Sequence, residues 1–368
     1  MADAKPELEQ EIRRLIGLAG PMPVAEFMRL CLTHPQYGYY VRRDPLGARG
    51  DFITAPEISQ MFGELIGLWM ATVWRQMGTP ENLRIVELGP GRGTMMADAL
   101  RAARTVPGFL DAIVVHLVEI SPALQRMQEE RLGDLGVALM WHDALDEVPA
   151  DPAIVLANEF VDALPIRQAA RQEDGWHERL VDTGPDGELV MTAAREPLPH
   201  FEASMPRALR QAPIGAIYEW RADDLALELG RRMRENGAAL IIDYGHDRCG
   251  LGDTLQAVAG HFFTDPLRAP GQADLTAHVD FEALAQCAES MGARIHGPIR
   301  QRDFLLRLGV ERRAAALKAG APGKAAEIES ALSRLLAEGP RGMGDLFKAI
   351  AIAAPRLGEL PAFEPEAS

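Results

Sequence analysis

The sequence predicts an α/β fold built on a doubly wound, mostly parallel sheet, and three observations predict it. Short apolar runs alternate with helical or loop material, as strands buried on both faces of a parallel sheet do. The runs are Leu83–Leu88, Ile113–Glu119, Ala138–Trp141, Ala153–Ala157 and Ala238–Asp243. A glycine-rich turn follows the first run and leads into a helical pattern, which is typical of nucleotide-binding folds. Hydrophobic residues make up 47% of the chain, enough for a sizeable core without disulfides.

The 368 residues are predicted to divide into five ranges. They are an N-terminal helical region with a lid (1–80), the first part of the sheet domain (81–164), an insertion that is β-rich and then helical (165–236), the rest of the sheet domain with C-terminal helices (237–363) and a frayed tail (364–368). Within the first range, Thr54 and Glu57 predict a capping box that opens the third helix. In the insertion, turns at 172–175 and 185–187 predict β-hairpins.

Composition and charge narrow the class of partner. The chain carries 38 Lys and Arg against 53 Asp and Glu, a net charge of −15. Such a surface disfavours nucleic acid and favours a cationic partner or substrate. The three cysteines form no Cys-x-x-Cys pair and the histidines are scattered, so neither a disulfide framework nor a metal site is predicted. The polar start of the chain and the lack of long apolar runs predict no secretion signal and no membrane insertion.

The glycine-rich turn, Glu87-Leu88-Gly89-Pro90-Gly91-Arg92-Gly93, predicts a cofactor site. Glycines let the backbone approach a ligand closely, and the helix that follows offers free N–H groups. Glu87 would lie badly beside a pyrophosphate, but it suits the sulfonium and ammonium groups of S-adenosylmethionine. Glu87, Gly89, Gly91 and Gly93 are therefore predicted to contact that cofactor. The alternative is a strand–turn–helix that binds nothing.

Three further residues are predicted to contact the cofactor at the same edge of the sheet. Glu119 ends the second strand, where an acid accepts hydrogen bonds from ribose hydroxyls. Asp143 follows the third strand and is a candidate partner of the adenine amino group. Asn158 follows the fourth strand, where a polar residue directly after an apolar run is unusual for a mere turn. The alternatives are a solvated acid at Glu119 and a helix N-cap at Asp143.

The segment after the fourth strand is predicted to carry the chemistry. Two acids, Glu159 and Asp162, match the planar donors of a guanidinium and are predicted to clamp it. A group there would orient the acceptor and take or share its proton. The alternative pairs Glu159 with a structural arginine and has Asp162 cap a short helix. Asp243–His246, after the fifth strand, is predicted to shape the acceptor pocket.

These motifs and several others resemble those of a known family. The matching segments are Gly50–Glu64, Glu87–Thr94, Val118–Pro122, Asn158–Pro165, Ile242–Gly245 and Asp274–Phe281. In them the chain resembles the MidA-type methyltransferases, which include the mitochondrial complex I assembly arginine methyltransferases and bacterial relatives. The first and last segments are far more specific than any glycine loop.

The resemblance implies a class I methyltransferase fold with a seven-stranded sheet, and S-adenosylmethionine as cofactor. It also implies a protein substrate methylated on arginine nitrogen, giving symmetric dimethylarginine on a respiratory complex I subunit in the mitochondrial members. The usual arginine methyltransferases carry two Glu after strand four. Glu159 and Asp162 occupy the corresponding place and could serve the same role, but the second acid is Asp instead of Glu. A bacterial cytoplasmic location is expected, because the targeting segment of the mitochondrial members is not seen here.

The leading hypothesis is therefore an enzyme that methylates a protein arginine, with the segment Tyr37–Glu64 as a lid. Three alternatives stay open at this point. A long insertion that builds a closed pocket favours a small-molecule methyltransferase. The fold can also serve as a scaffold for a non-catalytic assembly protein. The fourth hypothesis, a nicotinamide oxidoreductase, is disfavoured by Glu87 and by the glycine spacing.

Overall fold

A computed structural model describes residues 7–42, 54–150 and 152–364 of the chain. The α-helices are Glu7–Ala19 (α1), Val24–Thr33 (α2), Tyr39–Arg42 (α3), Ala55–Ile58 (α4), Gln60–Gln76 (α5), Thr94–Ala103 (α6), Pro122–Leu132 (α7), Phe201–Ser204 (α8), Asp224–Asn236 (α9), Phe281–Ser290 (α10), Gln301–Leu308 (α11), Val310–Gly320 (α12), Ala325–Leu335 (α13) and Met343–Leu346 (α14). None of these helices combines the length and apolar character needed to cross a bilayer.

The strands follow the same chain order. They are Met22–Pro23 (β1), Leu83–Leu88 (β2), Ile113–Val118 (β3), Ala138–His142 (β4), Ala153–Asn158 (β5), Ile166–Arg171 (β6), Trp176–Thr183 (β7), Leu189–Ala193 (β8), Ile217–Arg221 (β9), Gly237–His246 (β10), Gln256–Ala259 (β11), Phe262–Thr264 (β12), Asp274–Thr276 (β13), Val279–Asp280 (β14), Arg294–Arg300 (β15) and Phe347–Ala353 (β16).

The chain divides into two compact units. The sheet unit comprises residues 53–161, 223–247 and 281–368, and the insertion unit comprises residues 1–52, 162–222 and 248–280. This division differs from the predicted ranges: α5 and α9 join the sheet unit, while residues 248–280 join the insertion. Helical periodicity predicts that a helix has an apolar face but does not say which element covers it.

The sheet unit is a doubly wound α/β layer structure. Seven strands run in the order β15-β16-β10-β5-β2-β3-β4. The pairs from β10 through β4 are parallel, and β16 is antiparallel to both β10 and β15. The mostly parallel sheet predicted from the apolar runs is confirmed, and the seven strands in this order match the number that the resemblance implies.

The strand register brings the predicted ligand residues to one edge of this sheet. Leu88, the last residue of β2, lies opposite Val118 on one side and Ala157 on the other. Ile242 of β10 lies opposite Asn158. Because parallel strands end at a common edge, the glycine turn and the segments after β3 and β5 all begin there, and the last four residues of β10 extend past it.

Helices α5 and α6 pack unusually closely in the core of the sheet unit. Gly63 and Gly67 of α5 face α6, and a β-carbon at Gly67 would lie 2.2 Å from the carbonyl oxygen of Ala99. Both helices are largely buried. The pair therefore holds the helix that follows the glycine turn in a fixed place.

The capping box predicted at Thr54 is wrong. The Thr54 side chain makes no capping hydrogen bond, and α4 ends at Ile58. Ser59 has extended backbone and accepts a hydrogen bond from the N–H of Met61 through Oγ (3.2 Å), so it caps a separate helix, α5. The Glu57 carboxylate instead accepts a hydrogen bond from the hydroxyl of Thr94, 37 residues further along the chain.

The insertion unit contains two small sheets and a helical core of its own. One sheet has the order β1-β7-β6-β9 with β8 on β7, and the other has the order β12-β11-β13. The hairpin turn predicted at 172–175 joins β6 to β7, and the turn at 185–187 joins β7 to β8. Buried residues of α1 and α2, among them Ile12 and Phe27, fill this core. Of the predicted lid, residues 43–53 lie outside the described part of the chain.

Candidate active site

The glycine turn between β2 and α6 has backbone that only glycine adopts freely. Gly89, Gly91 and Gly93 have φ of 60°, 55° and 73°, and Gly93 is the N-cap of α6. The N–H of Gly89 donates to the carbonyl of Val118 (3.1 Å). A β-carbon at Gly89 would lie 2.8 Å from Cδ2 of Phe160, so the segment after β5 packs directly on the turn. Left-handed backbone and close contact both require glycine here.

Two buried acceptor atoms flank this turn and have no hydrogen-bond partner in the described part of the chain. They are Oε2 of Glu87 and Oδ1 of Asn158. Burial raises the pKa of Glu87 to about 8. Buried polar atoms are normally paired, so unpaired acceptors at a ligand edge point to a ligand that brings its own N–H donors. The ammonium group of S-adenosylmethionine is such a donor, and the residues present suit that cofactor.

Glu119 follows β3 and is also buried. Its Oε1 accepts the N–H of Ser121 (2.8 Å) and its Oε2 accepts Nε2 of Gln128 (3.3 Å). Burial raises the pKa of Glu119 to about 7, against the opposing effect of these hydrogen bonds. A carboxylate held in this way keeps lone pairs for hydroxyl donors, which agrees with the predicted ribose contact.

Gln128 is a site residue that sequence reasoning missed. It is fully buried on α7 and donates through Nε2 to the carbonyl of Gly91 (2.7 Å) as well as to Glu119. Its Oε1 accepts the indole N–H of Trp141 (2.8 Å). One amide therefore ties the glycine turn to the strand end that carries Glu119. The available signal was a polar residue on the buried row of α7, between Leu124 and Leu132.

Asp143 follows β4 at the same edge and is exposed. Its N–H donates to Glu147 Oε2 (3.0 Å). The short helical turn after it, Leu145–Glu147, has Ala144 as its N-cap, so the alternative that Asp143 serves as a helix cap does not hold. Its contact with adenine stays a prediction.

Glu159, predicted to bind the acceptor, lies in strained backbone at the carboxyl end of β5. Its φ is 51°, in the left-handed region where non-glycine residues are rare and functional sites are common. Its N–H donates to the carbonyl of Ile242 (2.9 Å). Its Oε1 accepts the N–H of Ala55 (3.0 Å) and Nδ2 of Asn158 (3.2 Å). The carboxylate is thus oriented by backbone and amide donors.

Asp243 holds the backbone that carries Glu159. The side chain is fully buried and lies inside β10, one residue after Ile242, where the pairing of β10 with β5 ends. Its Oδ2 accepts the N–H groups of Phe160 (3.2 Å) and Val161 (2.9 Å), and its Oδ1 accepts the N–H of Tyr244 (2.8 Å). Asp243 therefore acts on the segment after β5 rather than lining a pocket by itself.

Asp162, the second predicted acid, belongs to the insertion unit, whereas Glu159 belongs to the sheet unit. Asp162 is buried, and its carbonyl accepts the N–H of Ala277 (3.0 Å) and Nη2 of Arg221 (3.1 Å). In the same unit, the Tyr40 hydroxyl donates to Asp274 Oδ1 (2.8 Å). Burial, and then the carboxylates of Asp274 and Asp162, raise the pKa of Tyr40 well above its usual value. A joint clamp by Glu159 and Asp162 stays a prediction.

No cluster of three or more potential metal ligands occurs among residues 7–42, 54–150 and 152–364. Histidines 116 and 142 do meet on β3 and β4, with Nδ1 and Nε2 2.9 Å apart. Burial lowers the pKa of His116 to about 4, and His142 and Arg84 add to that shift. Both histidines belong to strands of the sheet, and neither is part of the glycine turn or of the segment after β5.

The fold, the glycine turn and the acids at the strand ends define a class I, S-adenosylmethionine-dependent methyltransferase. Residues 65–299 match the family described as "putative S-adenosyl-L-methionine-dependent methyltransferase", and this chain belongs to that family. The predicted resemblance to the MidA-type enzymes is confirmed, as is S-adenosylmethionine as the cofactor.

Similar proteins support the same assignment. A zebrafish (Danio rerio) protein named protein arginine methyltransferase NDUFAF7, mitochondrial, is 39% identical over 89% of this chain and 82% of its own length. The human protein of that name is 36% identical over 92% and 81%. A Burkholderia thailandensis crystal structure described as a "likely methyl transferase", bound to S-adenosyl-homocysteine, has a TM-score of 0.85 at 29% identity, covering 97% of this chain and 94% of its own.

Proposed function

We propose that this methyltransferase transfers its methyl group to arginine nitrogen in a protein. The observation that carries the proposal is the strained, oriented carboxylate of Glu159 at the ligand edge, next to the Phe160 ring that packs on Gly89. An anionic group there suits a guanidinium, which is always protonated at neutral pH. Relatives named protein arginine methyltransferases support the choice of acceptor.

The residues around the glycine turn would hold the cofactor in one orientation. Bound S-adenosylmethionine supplies a methyl group on a positively charged sulfur, and that sulfur keeps the bonding electrons when the methyl leaves. Glu87 and Asn158 would accept hydrogen bonds from its ammonium group through their unpaired oxygens. Glu119 would accept hydrogen bonds from the ribose hydroxyls. Together these contacts fix the direction in which the methyl group points.

Glu159 would place the acceptor and help remove its proton. Its carboxylate, held through Oε1 by the N–H of Ala55, would accept guanidinium N–H groups and so orient one terminal nitrogen. That nitrogen gains a bond to the methyl carbon and loses a proton, which passes to a carboxylate and then to water. Asp162 is the proposed second acceptor of guanidinium hydrogen bonds. The net charge of −15 favours the approach of a cationic segment.

The finer parts of the proposal follow the resemblance. They are symmetric dimethylation and a respiratory complex I subunit as the substrate. A bacterial cytoplasmic location stays a prediction, since the curated relatives quoted above are named mitochondrial.

Labelled-methyl transfer to paired peptides tests the acceptor. We expect label to enter an arginine-containing peptide or complex I subunit and not the same chain with lysine in place of arginine. Glu159→Gln is expected to lower kcat by at least about a hundredfold, because the amide is a poor partner for a cation and a poor proton acceptor. Transfer to small molecules alone, with cofactor bound normally, would refute the arginine proposal and leave the methyltransferase assignment intact.

A further inference from the structure

The short helix α4 is held at its start by the segment that follows β5. The N–H of Ala55, its first residue, donates to Oε1 of Glu159 (3.0 Å). Ala55 is fully buried and Pro56 is buried beside it. The beginning of α4 therefore cannot move without releasing the Glu159 carboxylate from a hydrogen bond.

A second attachment of α4 is to the glycine turn. Glu57 Oε1 accepts a hydrogen bond from the hydroxyl of Thr94, the residue directly after Gly93. Glu57 Oε2 lies 3.7 Å from Nη1 of Arg92, and Glu57 Oε1 lies 3.9 Å from Nη1 of Arg131. Arg131 also donates to the Thr94 hydroxyl. One carboxylate thus holds both residues that flank the last glycine of the turn, together with a cation from α7.

The two segments that α4 joins also touch each other. Phe160 follows Glu159 in the chain, and its ring occupies the space where a β-carbon of Gly89 would be. The glycine turn, the segment after β5 and α4 therefore form a closed set of contacts. Because packed interfaces have few alternative arrangements, a shift of any one of these three segments is expected to shift the other two.

We infer that Glu57 is a positioning residue for the cofactor turn, and that α4 couples cofactor binding to the placement of the Glu159 carboxylate. Glu57 sets the turn through Thr94 and Arg92 without itself having to touch the cofactor. Occupation of the turn then stabilises α4 and, through Ala55, one orientation of Glu159. The inference rests on S-adenosylmethionine as cofactor and is independent of which acceptor is methylated.

Calorimetric titration of the full chain with S-adenosylmethionine and with S-adenosylhomocysteine tests the positioning role. Glu57→Ala is expected to weaken both ligands by about tenfold, the size of a lost hydrogen bond to a charged group. The two ligands differ by the sulfonium charge. An equal loss for both supports positioning of the turn, whereas a loss confined to S-adenosylmethionine would mean a through-space charge effect and overturn the inference.

A matched control separates positioning from general loss of stability. Glu64→Ala removes a similar carboxylate in the same unit, one that binds Arg313 through two hydrogen bonds of 2.6 and 2.7 Å. We expect it to lower Tm while leaving both dissociation constants within about twofold. If Glu57→Ala does not fold, Thr94→Val removes the partner hydroxyl alone and is expected to give a smaller loss of affinity in the same direction. If Glu57→Ala or Thr94→Val folds and binds both ligands with unchanged affinity, the inference is overturned.

A double-mutant cycle tests the coupling. Glu159→Asn shortens the side chain that accepts the Ala55 N–H, and asparagine tolerates the left-handed backbone at that position. Glu57→Ala and Glu159→Asn each release one attachment of α4. Once one attachment is lost, loss of the other should add little to the loss of affinity. We expect the double variant to weaken S-adenosylhomocysteine by clearly less than the product of the two single effects. Effects that multiply would show that α4 does not couple the two groups.

Discussion

At the scale of single residues, the site depends on carboxylates whose surroundings differ. Asp243 accepts three backbone N–H groups and so holds the segment after β5. Glu87 has one oxygen that no described residue satisfies, and Glu119 is held by one N–H and one amide. The same residue type therefore serves as a backbone anchor at one position and as a ligand acceptor at another.

Substitution of Asp243 by asparagine is expected to damage both stability and activity. One carboxylate oxygen becomes an NH2 group that faces a backbone N–H, which leaves donors opposed in a fully buried place. We expect a loss of about 2–3 kcal/mol in the free energy of unfolding and a fall in kcat, measured by urea denaturation and methyl transfer. Asp303→Asn, at an exposed ion pair with Arg300, should change neither. A fully active, fully stable Asp243→Asn variant would contradict the anchoring role.

Glu87 is expected to make stability depend on pH. Its pKa is raised by burial to about 8 from an ordinary value of 4.5, so the folded state holds this proton more tightly than the unfolded state. The associated stability is fully present below pH 4.5 and is lost as pH rises through about 8. Denaturation at several pH values should show a smaller decline in Glu87→Gln than in the unmodified protein.

A bound cation offsets the free-energy cost of burying the charged form of Glu87. S-adenosylmethionine binding favours the ionised form of Glu87, so binding near pH 7 should release protons. Calorimetry in buffers of different ionisation enthalpy measures that release. If Glu87→Gln releases as many protons as the unmodified protein, the release does not come from this carboxyl group. A smaller release is expected to remain in that variant, because Glu119, with a pKa of about 7, also ionises.

At the scale of elements, two glycines of similar helical setting are expected to respond oppositely to alanine. Gly67 in α5 faces the backbone of α6, where a β-carbon would lie 2.2 Å from the Ala99 oxygen, whereas Gly17 in α1 has no atom within 4 Å of that place. Gly67→Ala should cost about 1–3 kcal/mol from overpacking. Gly17→Ala should stabilise by about 0.5–1 kcal/mol, because alanine is the better helix former. Denaturation curves of both variants test this, and changes of the same sign would contradict the close packing of α5 on α6.

At the scale of the whole molecule, the cofactor is expected to stabilise the fold by mass action. A ligand that binds only the folded chain adds about 2.7 kcal/mol at a hundred times its dissociation constant. Thermal denaturation should therefore show a rise in Tm with S-adenosylhomocysteine and none with NAD. A rise with NAD would revive the nicotinamide alternative, which the acid at position 87 disfavours.

Much of the fold was predictable because it depends on local and periodic signals. Nearly continuous apolar runs define β2 through β5 and β10, and turn residues define the hairpins of β6, β7 and β8. The positions of the predicted cofactor residues at one sheet edge follow from parallel pairing alone. The position of α5 was not predictable in the same way, because its apolar periodicity does not identify α6 as its partner.

The sequence by itself determined the family, the cofactor and the strand ends that carry Glu87, Glu119 and Glu159, since motif spacing and burial on both sheet faces are written in residue order. Only the tertiary structure decided that Glu57 binds Thr94 instead of capping its own helix, and that Gln128 joins the glycine turn to Glu119. In each case the deciding hydrogen bond joins residues 37 apart in the chain, Glu57 with Thr94 and Gln128 with Gly91. Which groups meet over such distances depends on how whole helices and strands pack against each other. The residues near each group in the sequence do not indicate that packing.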